Sequence, residues 1–347
     1  MLNRNMFVKI YKSKEFWPLA ALALLLVFNA FFTKGFFHIE IKDGHLFGSL
    51  IDILNRASSL IIIAIGMSLV IATKGIDISV GSTVAITGAM AAILIGGNLQ
   101  YVNGVQTFVT LVPMPIAIIA ALALATVIGL WNGFLITRIG MQPIIATLIL
   151  MVAGRGIAQL LTNGQIITIY YKPYFFIGSG FLFGLPFSVY IVALVVIATV
   201  LITRKTSLGM FIESVGINPV ATKVSGVDAK NIILCIYAFC GLCAGIAGLL
   251  VSSNVKSADG IHAGELFELD AILAVAIGGT SIAGGKFYLM GSVIGALIIQ
   301  TLKTTIYSIG VPPEINLVVE AFVVFIVMLI QSEDFRKIAF RMKLAKG

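Results

Sequence analysis

Long apolar runs, separated by short polar segments, constrain the fold of this chain more than any other feature. Hydrophobic residues make up 59% of its 347 residues and charged residues only 11%, whereas soluble domains have about 45–50% and about 25%. The runs are long enough for helices that cross a bilayer, and the short alternating segments of an outer-membrane barrel are absent from the sequence. We therefore predict an all-α integral membrane protein that lies in a lipid bilayer.

Ten apolar segments predict about ten transmembrane helices. Because an even number of spans returns the chain to the side on which it began, both termini should lie on the same side of the membrane. The predicted spans are residues 16–33, 57–73, 78–96, 114–136, 143–162, 186–203, 230–252, 267–283, 288–309 and 315–331.

The positions of the basic residues predict the orientation of these spans. Sixteen of the 23 Lys and Arg residues fall on the side of the termini, five fall on the other side, and Arg155 and Lys303 lie within spans. Because Lys and Arg mark the cytoplasmic face, both termini are predicted to be cytoplasmic. The net charge of +8 is thus explained by membrane orientation, and no nucleic-acid partner is predicted.

Two distant stretches of the sequence follow the same order, in which a helix with two small residues four apart is followed by Ile-Gly and then by Pro. The first turn would lie inside and the second outside, as in an inverted-topology repeat, which places a solute path near the interface of the two halves. Gly-xxx-Gly is also common in any packed membrane helix, so a chance similarity is the alternative. The matching residues are Gly129, Gly133, Ile139, Gly140 and Pro143 in the first copy and Gly291, Gly295, Ile309, Gly310 and Pro313 in the second.

Few polar side chains lie within the predicted spans, and these are the candidates for a substrate path. Arg155, Gln159 and Asn163 are spaced by four residues and would share one helical face. Their donors and acceptors suit a neutral solute that is rich in hydroxyl groups. In the alternative interpretation, Arg155 reaches the outer surface and the amides cap a helix end.

Asp77 and Asn132 are two further candidates for the path. Asp77 lies between the second and third spans, where it would either cap the third helix or stand at the cytoplasmic mouth of the path. Asn132 is an amide inside the fourth span. Lys303 and Glu320 lie in the last two spans and could pair across the bundle.

The sequence contains no catalytic or metal-binding constellation. The segment GTSIAGGKF at 279–287 resembles a Walker A motif, but Thr280 replaces a required Gly and Phe287 a required Ser or Thr. Cys240 and Cys243 have no second pair and are interpreted as packing residues. Carboxylates are scarce within the spans, which disfavours an ion-coupled secondary transporter of a small neutral solute, the alternative function. We predict a membrane protein that is not itself an enzyme and binds no cofactor or metal.

The segment 204–230 (RKTSLGMFIESVGINPVATKVSGVDAK) is the longest polar, basic interruption of the apolar sequence. It is too short to fold as a domain and is predicted to lie on the cytoplasmic side. A segment of this kind indicates docking of a cytoplasmic partner.

Several motifs together resemble the membrane-spanning permease subunits of ribose-type sugar ABC importers. They cover nearly the whole chain, and three further stretches, at 43–57, 203–218 and 296–300, most resemble the galactofuranose permease branch. The family motifs are GIDISVGS at 75–82, GLWNG at 129–133, QPIIATLILMVAGRG at 142–156, GMFIESVGINPVATKVSGV at 209–227 and ELDAILAVAIGGTSIAGG at 268–285.

The resemblance implies a single permease domain over residues 1–347, in the bacterial cytoplasmic membrane. Its implied partners are a second permease subunit, identical or related, cytoplasmic ATPase chains that use ATP and Mg, and a periplasmic sugar-binding protein. The implied cargo is galactofuranose or a related pentose or hexose. Segment 204–230 matches the family's coupling segment, in which the glycines would allow turns, Pro219 would start a helix, and Val220, Ala221 and Val224 would form a small apolar face. The implied coupling residues are Gly209, Glu213, Gly216, Asn218, Ala221, Lys223 and Gly226.

Overall fold

The computed structural model describes residues 16–331, apart from residues 34, 43, 97, 103, 104 and 311. The fold is mostly helical, and a π-helical turn, Leu135–Ile139, extends the fourth helix. The α-helices are α1 (Phe16–Phe32), α2 (Ser49–Ala72), α3 (Val80–Ile95), α4 (Met114–Phe134), α5 (Pro143–Leu161), α6 (Lys172–Ser179), α7 (Phe187–Lys205), α8 (Leu208–Ile217), α9 (Pro219–Val224), α10 (Ala229–Val255), α11 (Phe267–Ile277), α12 (Leu289–Ile309) and α13 (Pro313–Gln331).

Short antiparallel strand pairs also occur in the connections between the helices of this mostly helical fold. Three of the pairs are hairpins, and the fourth joins the loops that follow α5 and α10. The pairs are β1 (Glu40–Lys42) with β2 (His45–Phe47), β3 (Asn98–Val102) with β4 (Val105–Val109), β5 (Ile167–Thr168) with β8 (Ser257–Ala258), and β6 (Phe181–Leu182) with β7 (Leu185–Pro186).

Among the described residues, six helices are long and apolar enough to cross a membrane: α2, α5, α7, α10, α12, and α4 together with its π-helical extension. Each predicted span coincides with one helix, but the total of ten spans stays a prediction, because α1, α3 and α11 are shorter and α13 is not among the six. The basic residues of both termini, which contributed to the predicted orientation, lie outside the described residues, as does Lys34.

Helix α11 ends earlier than predicted. The predicted span 267–283 becomes a helix of 11 residues, about 16 Å long at about 1.5 Å per residue, roughly half of a bilayer core. The helix stops at a Gly pair, Gly278 and Gly279, and Gly279 adopts a left-handed φ of 84°. Gly278 also lies against the backbone of Gly291 in α12, where a Cβ would clash. The close contact and the turn together prevent continuation of the helix.

Helices α2 and α10 form the centre of the fold. Every residue of α2 from Ala57 to Ala72 is buried, and α10 packs against α2, α3 and α4. By contrast, α4, α5 and α7 expose many large apolar side chains. A helix that is buried on all sides belongs to the core, and the exposed apolar faces of α4, α5 and α7 are suited to lipid.

Small residues allow α4 and α10 to approach closely. A Cβ at Gly129 of α4 would overlap the carbonyl oxygen of Tyr237 in α10, and a Cβ at Gly241 of α10 would overlap the carbonyl oxygen of Ala125. In the second copy of the predicted repeat, Gly295 of α12 lies against the backbone of Ala274 in α11 in the same way. The predicted small-xxx-small helices therefore do provide backbone contacts.

The two Ile-Gly-x-x-Pro turns have the same backbone geometry. Gly140 follows the π-helical turn with φ 86° and ψ 22°, and Gly310 follows α12 with φ 82° and ψ 26°. Both are left-handed C-caps, a conformation that glycine adopts without steric cost. In each copy the next helix begins at the predicted proline, Pro143 or Pro313.

A second pair of matching turns follows α2 and α10. Lys74, just beyond α2, and Lys256, just beyond α10, both have left-handed backbones, with φ of 64° and 60°. Three residues later, Asp77 accepts a hydrogen bond from the N–H of Ser79 (3.0 Å), and Asp259 accepts one from the N–H of Ile261 (2.7 Å). The two turns thus share a Lys-x-x-Asp pattern and an Asx turn.

Candidate functional site

A polar cavity of about 780 Å³ lies between α2, α6, α7, α10, α11 and α12. It is lined by the first three turns of α2, the C-terminal end of α10 and the second half of α12. Its volume is within the roughly 300–1,000 Å³ that is usual for ligand pockets. Apart from two polar helix faces, which are described next, the wall contains Ser49, Gly178, Ser188, Leu250, Val251, Asn254, Val255, Phe267 and Ser308.

Two helices each present a polar face to this cavity. On both helices the residues are spaced i, i+3, i+4 and i+7, which places them on one side of an α-helix. The faces consist of Asp52, Asn55, Arg56 and Ser59 on α2, and Gln300, Lys303, Thr304 and Tyr307 on α12.

The sequence analysis missed both polar faces. The second span was predicted to begin at residue 57, whereas α2 begins at Ser49, so the polar first turns were counted as loop. The spacing of four polar residues at i, i+3, i+4 and i+7 was the signal that could have found each face.

Hydrogen bonds and an ion pair position part of the cavity wall. Asn55 Oδ1 accepts a hydrogen bond of 2.5 Å from Ser188 Oγ, which joins α2 to α7. Lys303 Nζ donates to Asp270 Oδ2 at 2.5 Å, which joins α12 to α11. Asp270 is only 5% exposed, so the ammonium group of Lys303 compensates a buried carboxylate. Lys303 therefore pairs with Asp270, a partner that the sequence analysis did not consider.

Asp77 and Asn132 come together in a buried polar cluster. Asn132 Nδ2 donates to Ser79 Oγ at 2.8 Å, and Ser79 Oγ in turn donates to Asp77 Oδ1 at 2.6 Å. Helix α3 begins at Val80, after Ser79, so Asp77 lies two residues before the cap position that was predicted for it. The cluster joins the α2–α3 connection to α4, and neither residue lines the cavity.

The predicted stripe of Arg155, Gln159 and Asn163 does not form one helical face. Helix α5 ends at Leu161, and Asn163 is exposed in a turn with a left-handed φ of 50°, because Gly164 follows it and the chain reverses there. Arg155 Nη1 donates to the carbonyl oxygen of Ala263 at 2.5 Å, which ties α5 to the loop before α11. None of the three lines the cavity, and their role in a substrate path stays a prediction.

The loop that joins α10 to α11 is held by Asp259. Its carboxylate accepts hydrogen bonds from the N–H groups of Ile261 and His262, at 2.7 and 3.2 Å, and contacts the His262 ring. Partial burial acts to raise the pKa of Asp259, but these N–H groups and the His262 ring together hold the pKa below its usual value. This loop leads directly into the short helix α11.

Helices α8 and α9 form the predicted coupling segment. Pro219 starts α9, as predicted, and Asn218 caps it, since its Oδ1 accepts from the N–H groups of Val220 and Ala221 at 3.0 and 3.1 Å. Ala221 is exposed, and Val220 and Val224 are 72% and 86% exposed. The predicted apolar face is therefore available to a partner. Of the other predicted coupling residues, Glu213 is half-buried and Lys223 is exposed.

All three glycines in the coupling segment were predicted to allow turns, but two of them lie within a helix instead. Gly209 and Gly216 are buried within α8, and only Gly226 has a left-handed φ, of 86°. A Cβ at Gly209 would overlap the carbonyl oxygen of Thr203 in α7, and one at Gly216 would overlap that of Ala72 in α2. These two glycines therefore allow close backbone contact with neighbouring helices.

The end of α2 is clamped between the coupling segment and the loop that precedes α12. Lys74 Nζ donates to the carbonyl oxygen of Ile217 at 3.1 Å. The N–H of Gly285 donates to the carbonyl oxygen of Ala72 at 2.9 Å, beside Gly216. Helix α8 and the end of the buried helix α2 are thus in direct backbone contact.

A groove of about 750 Å³ runs beside α9 and the start of α10. Val220 lies on its wall together with three basic residues, Arg138, Lys223 and Lys230. Apolar and basic groups are thus exposed side by side at the end of the molecule opposite the polar cavity, an arrangement that suits contact with another protein.

Comparison with known proteins identifies the family. A permease family described as "branched-chain amino acid transport system / permease component" matches residues 49–329. The chain belongs to this permease family. It is 48% identical to the galactofuranose transporter permease protein YtfT of Escherichia coli K12, over 92% of this chain and 91% of that protein. No solved structure matches the chain.

Two further relatives are also sugar import permeases. The chain is 37% identical to the fructose import permease protein FruF of Bifidobacterium longum, over 98% of this chain and 94% of that protein. It is 35% identical to the ribose import permease protein RbsC of Escherichia coli K12, over 95% of this chain and 97% of that protein. The predicted resemblance to sugar importer permeases is confirmed, and the chain is a multi-pass membrane permease.

Proposed function

We propose that this chain is the translocating subunit of an ATP-driven importer of a monosaccharide, galactofuranose or a related pentose or hexose. The observation that carries the proposal is the 48% identity to the galactofuranose transporter permease over nearly the full length of both chains. Fructose and ribose permeases are also similar over nearly their full length. These relatives favour an importer subunit over an ion-coupled secondary transporter.

Helices α8 and α9 are proposed to receive a cytoplasmic ATPase, which supplies the ATP and Mg chemistry that this chain lacks. The exposed Val220 and Val224 support this role, and the backbone contact between Gly216 and Ala72 supports transmission of force to α2. In this proposal ATPase closure moves α8, and α8 moves α2.

The remaining parts of the proposed assembly follow the family. A second permease subunit, identical or related, would pair with this chain, and a periplasmic binding protein would deliver the sugar. The chain would form one permease domain of ten spans in the bacterial cytoplasmic membrane, with both termini in the cytoplasm.

We further infer that α2–α5 and α10–α13 are two copies of an inverted repeat. The matching turns at Lys74 and Lys256, and at Gly140 and Gly310, support this. The ends of α2 and α10 support opposite orientations of the two copies. The start of α2 and the end of α10 both line the cavity. The end of α2 instead contacts the coupling segment, after which α10 begins. Such repeats place a solute path at their interface.

The proposed function can be tested by reconstituting the complex of this permease and its ATPase in proteoliposomes. ATPase activity is measured with the binding protein loaded with a panel of pentoses and hexoses, including furanose forms. We expect stimulation by one sugar or a few related sugars. Equal activity with all sugars and with none would contradict the proposed function.

A further inference from the structure

The polar cavity lies at the far end of the molecule from the coupling segment. Both sites contact α2, since the cavity meets the helix up to Ser59 and the coupling segment meets it at Ala72. Thirteen residues separate these positions, about 20 Å at about 1.5 Å per residue. Because every residue between them is buried, α2 connects the two sites as one packed element.

Several side chains on the cavity wall are available to a ligand. Asn55 and Lys303 are engaged with Ser188 and Asp270. Asp52, Arg56, Asn254 and Gln300 have no side-chain hydrogen bond or ion pair with any other described residue. Together they offer donors and acceptors, and each hydroxyl group of a sugar can both donate and accept.

The charged side chains on and directly behind the cavity wall form two pairs of opposite sign. Asp52 and Arg56 face the cavity one helical turn apart on α2, and Lys303 is neutralised by Asp270. A wall without net charge favours a neutral solute over an ion of either sign. Phe267, half-buried on the same wall, offers an aromatic surface to the C–H groups of a sugar ring.

We propose that this cavity between α2 and α12 binds the sugar during translocation, with Arg56, Asn254 and Gln300 as the principal hydrogen-bonding groups. The inference rests on the proposed sugar-import function and assigns the substrate site within it. It also moves the site away from α5, where Gln159 was a predicted path residue.

A matched pair of amide substitutions tests this assignment. Gln300→Ala removes an amide from the cavity, and Gln165→Ala removes the same group from the exposed turn after α5, outside the cavity. The full complex with its ATPase and binding protein is reconstituted, and uptake of labelled galactose, ribose and fructose is measured per ATP hydrolysed. We expect Gln300→Ala and Arg56→Gln to lower this ratio by about five- to tenfold, as loss of a sugar hydrogen bond would. Gln165→Ala should remain within about twofold of the parent.

Chemical modification provides a second readout that does not depend on one hydrogen bond. Cys235, the exposed cysteine among the described residues, is first replaced by Ser. Asn254→Cys is then modified with a membrane-impermeant methanethiosulfonate reagent, with Gln165→Cys as the exposed control outside the cavity. We expect modification at position 254 to stop sugar uptake, reduction of the mixed disulfide to restore it, and modification at position 165 to leave it unchanged.

The outcomes separate this inference from the proposed function. If the parent complex imports sugar but Gln300→Ala, Arg56→Gln and modified Asn254→Cys all retain the parental ratio, the cavity is not the binding site and the import function stands. If the parent complex imports none of the three sugars and its ATPase activity is equal with every sugar of the panel and with none, the proposed function fails, and the assignment of a sugar site fails with it.

Discussion

Lys303 of α12 and Asp270 of α11 form an ion pair at 2.5 Å on the wall of the polar cavity. Asp270 is buried and the Lys303 side chain is only 23% exposed, so both charges are largely removed from water. Such a pair fixes the position of the short helix α11 against α12. Removal of either partner deprives the other charge of this ion pair in a poorly solvated place.

Breaking this pair should destabilise the protein. We expect Lys303→Met and Asp270→Asn each to cost about 3 kcal/mol, whereas the double variant should recover much of the loss because no charge remains buried. The midpoint of thermal unfolding of the purified complex in detergent measures this. If both single variants kept the parental unfolding midpoint, the ion pair would not stabilise the fold.

Gly216→Ala should uncouple ATP hydrolysis from transport. The added methyl group would collide with the carbonyl oxygen of Ala72 and push α8 away from α2. Gly156→Ala on α5, where the methyl group meets open space, is the matched control. Sugar uptake per ATP should fall at least about fivefold for the first variant, which corresponds to about 1 kcal/mol, and stay at the parental value for the second. Parental coupling in Gly216→Ala would refute the clamp at the end of α2.

Ala221→Asp should weaken docking of the ATPase. The substitution places a charge on the exposed apolar face beside Val220 and Val224, and a desolvated charge at an interface costs several kcal/mol. We expect the variant to insert into the membrane and to lose transport coupled to ATP, while Ala221→Ser retains it. Co-purification of the ATPase gives the direct measurement, and normal transport by Ala221→Asp would exclude α9 as the docking site.

Asn132→Leu separates a structural role of the buried cluster from a role in the path. Loss of the 2.8 Å hydrogen bond to Ser79 Oγ leaves a buried hydroxyl without its donor, at a cost of about 1–3 kcal/mol. The unfolding midpoint should therefore fall, with sugar selectivity across the panel unchanged. An unchanged midpoint combined with altered selectivity would instead assign Asn132 to the substrate path.

The sequence predicted those parts of the fold that depend on local chemistry. Pro219 and Pro143 begin helices because proline is favoured in the first turn, and Gly140 and Gly310 end segments where a left-handed residue is needed. Apolar runs located the helices that coincide with the predicted spans, because only a helix satisfies its backbone groups in lipid.

The parts that were missed depend on contacts between distant segments. The polar first turns of α2 continue a helix beyond its apolar stretch, and a hydropathy criterion does not detect such an extension. The role of Gly216 could not be predicted either, since nothing near it in the sequence indicates that Ala72 lies against it. The cavity combines residues from six helices, and only the fold brings them together.

The exposure of Val220 and Val224 on α9 also has a practical consequence for handling the protein. A detergent micelle covers the lipid-facing belt but not a helix that projects into the aqueous phase, so in the isolated subunit these side chains remain in water. They form an adhesive surface that favours aggregation unless it is covered. Expression together with the ATPase should therefore yield more monodisperse protein than expression of the permease alone.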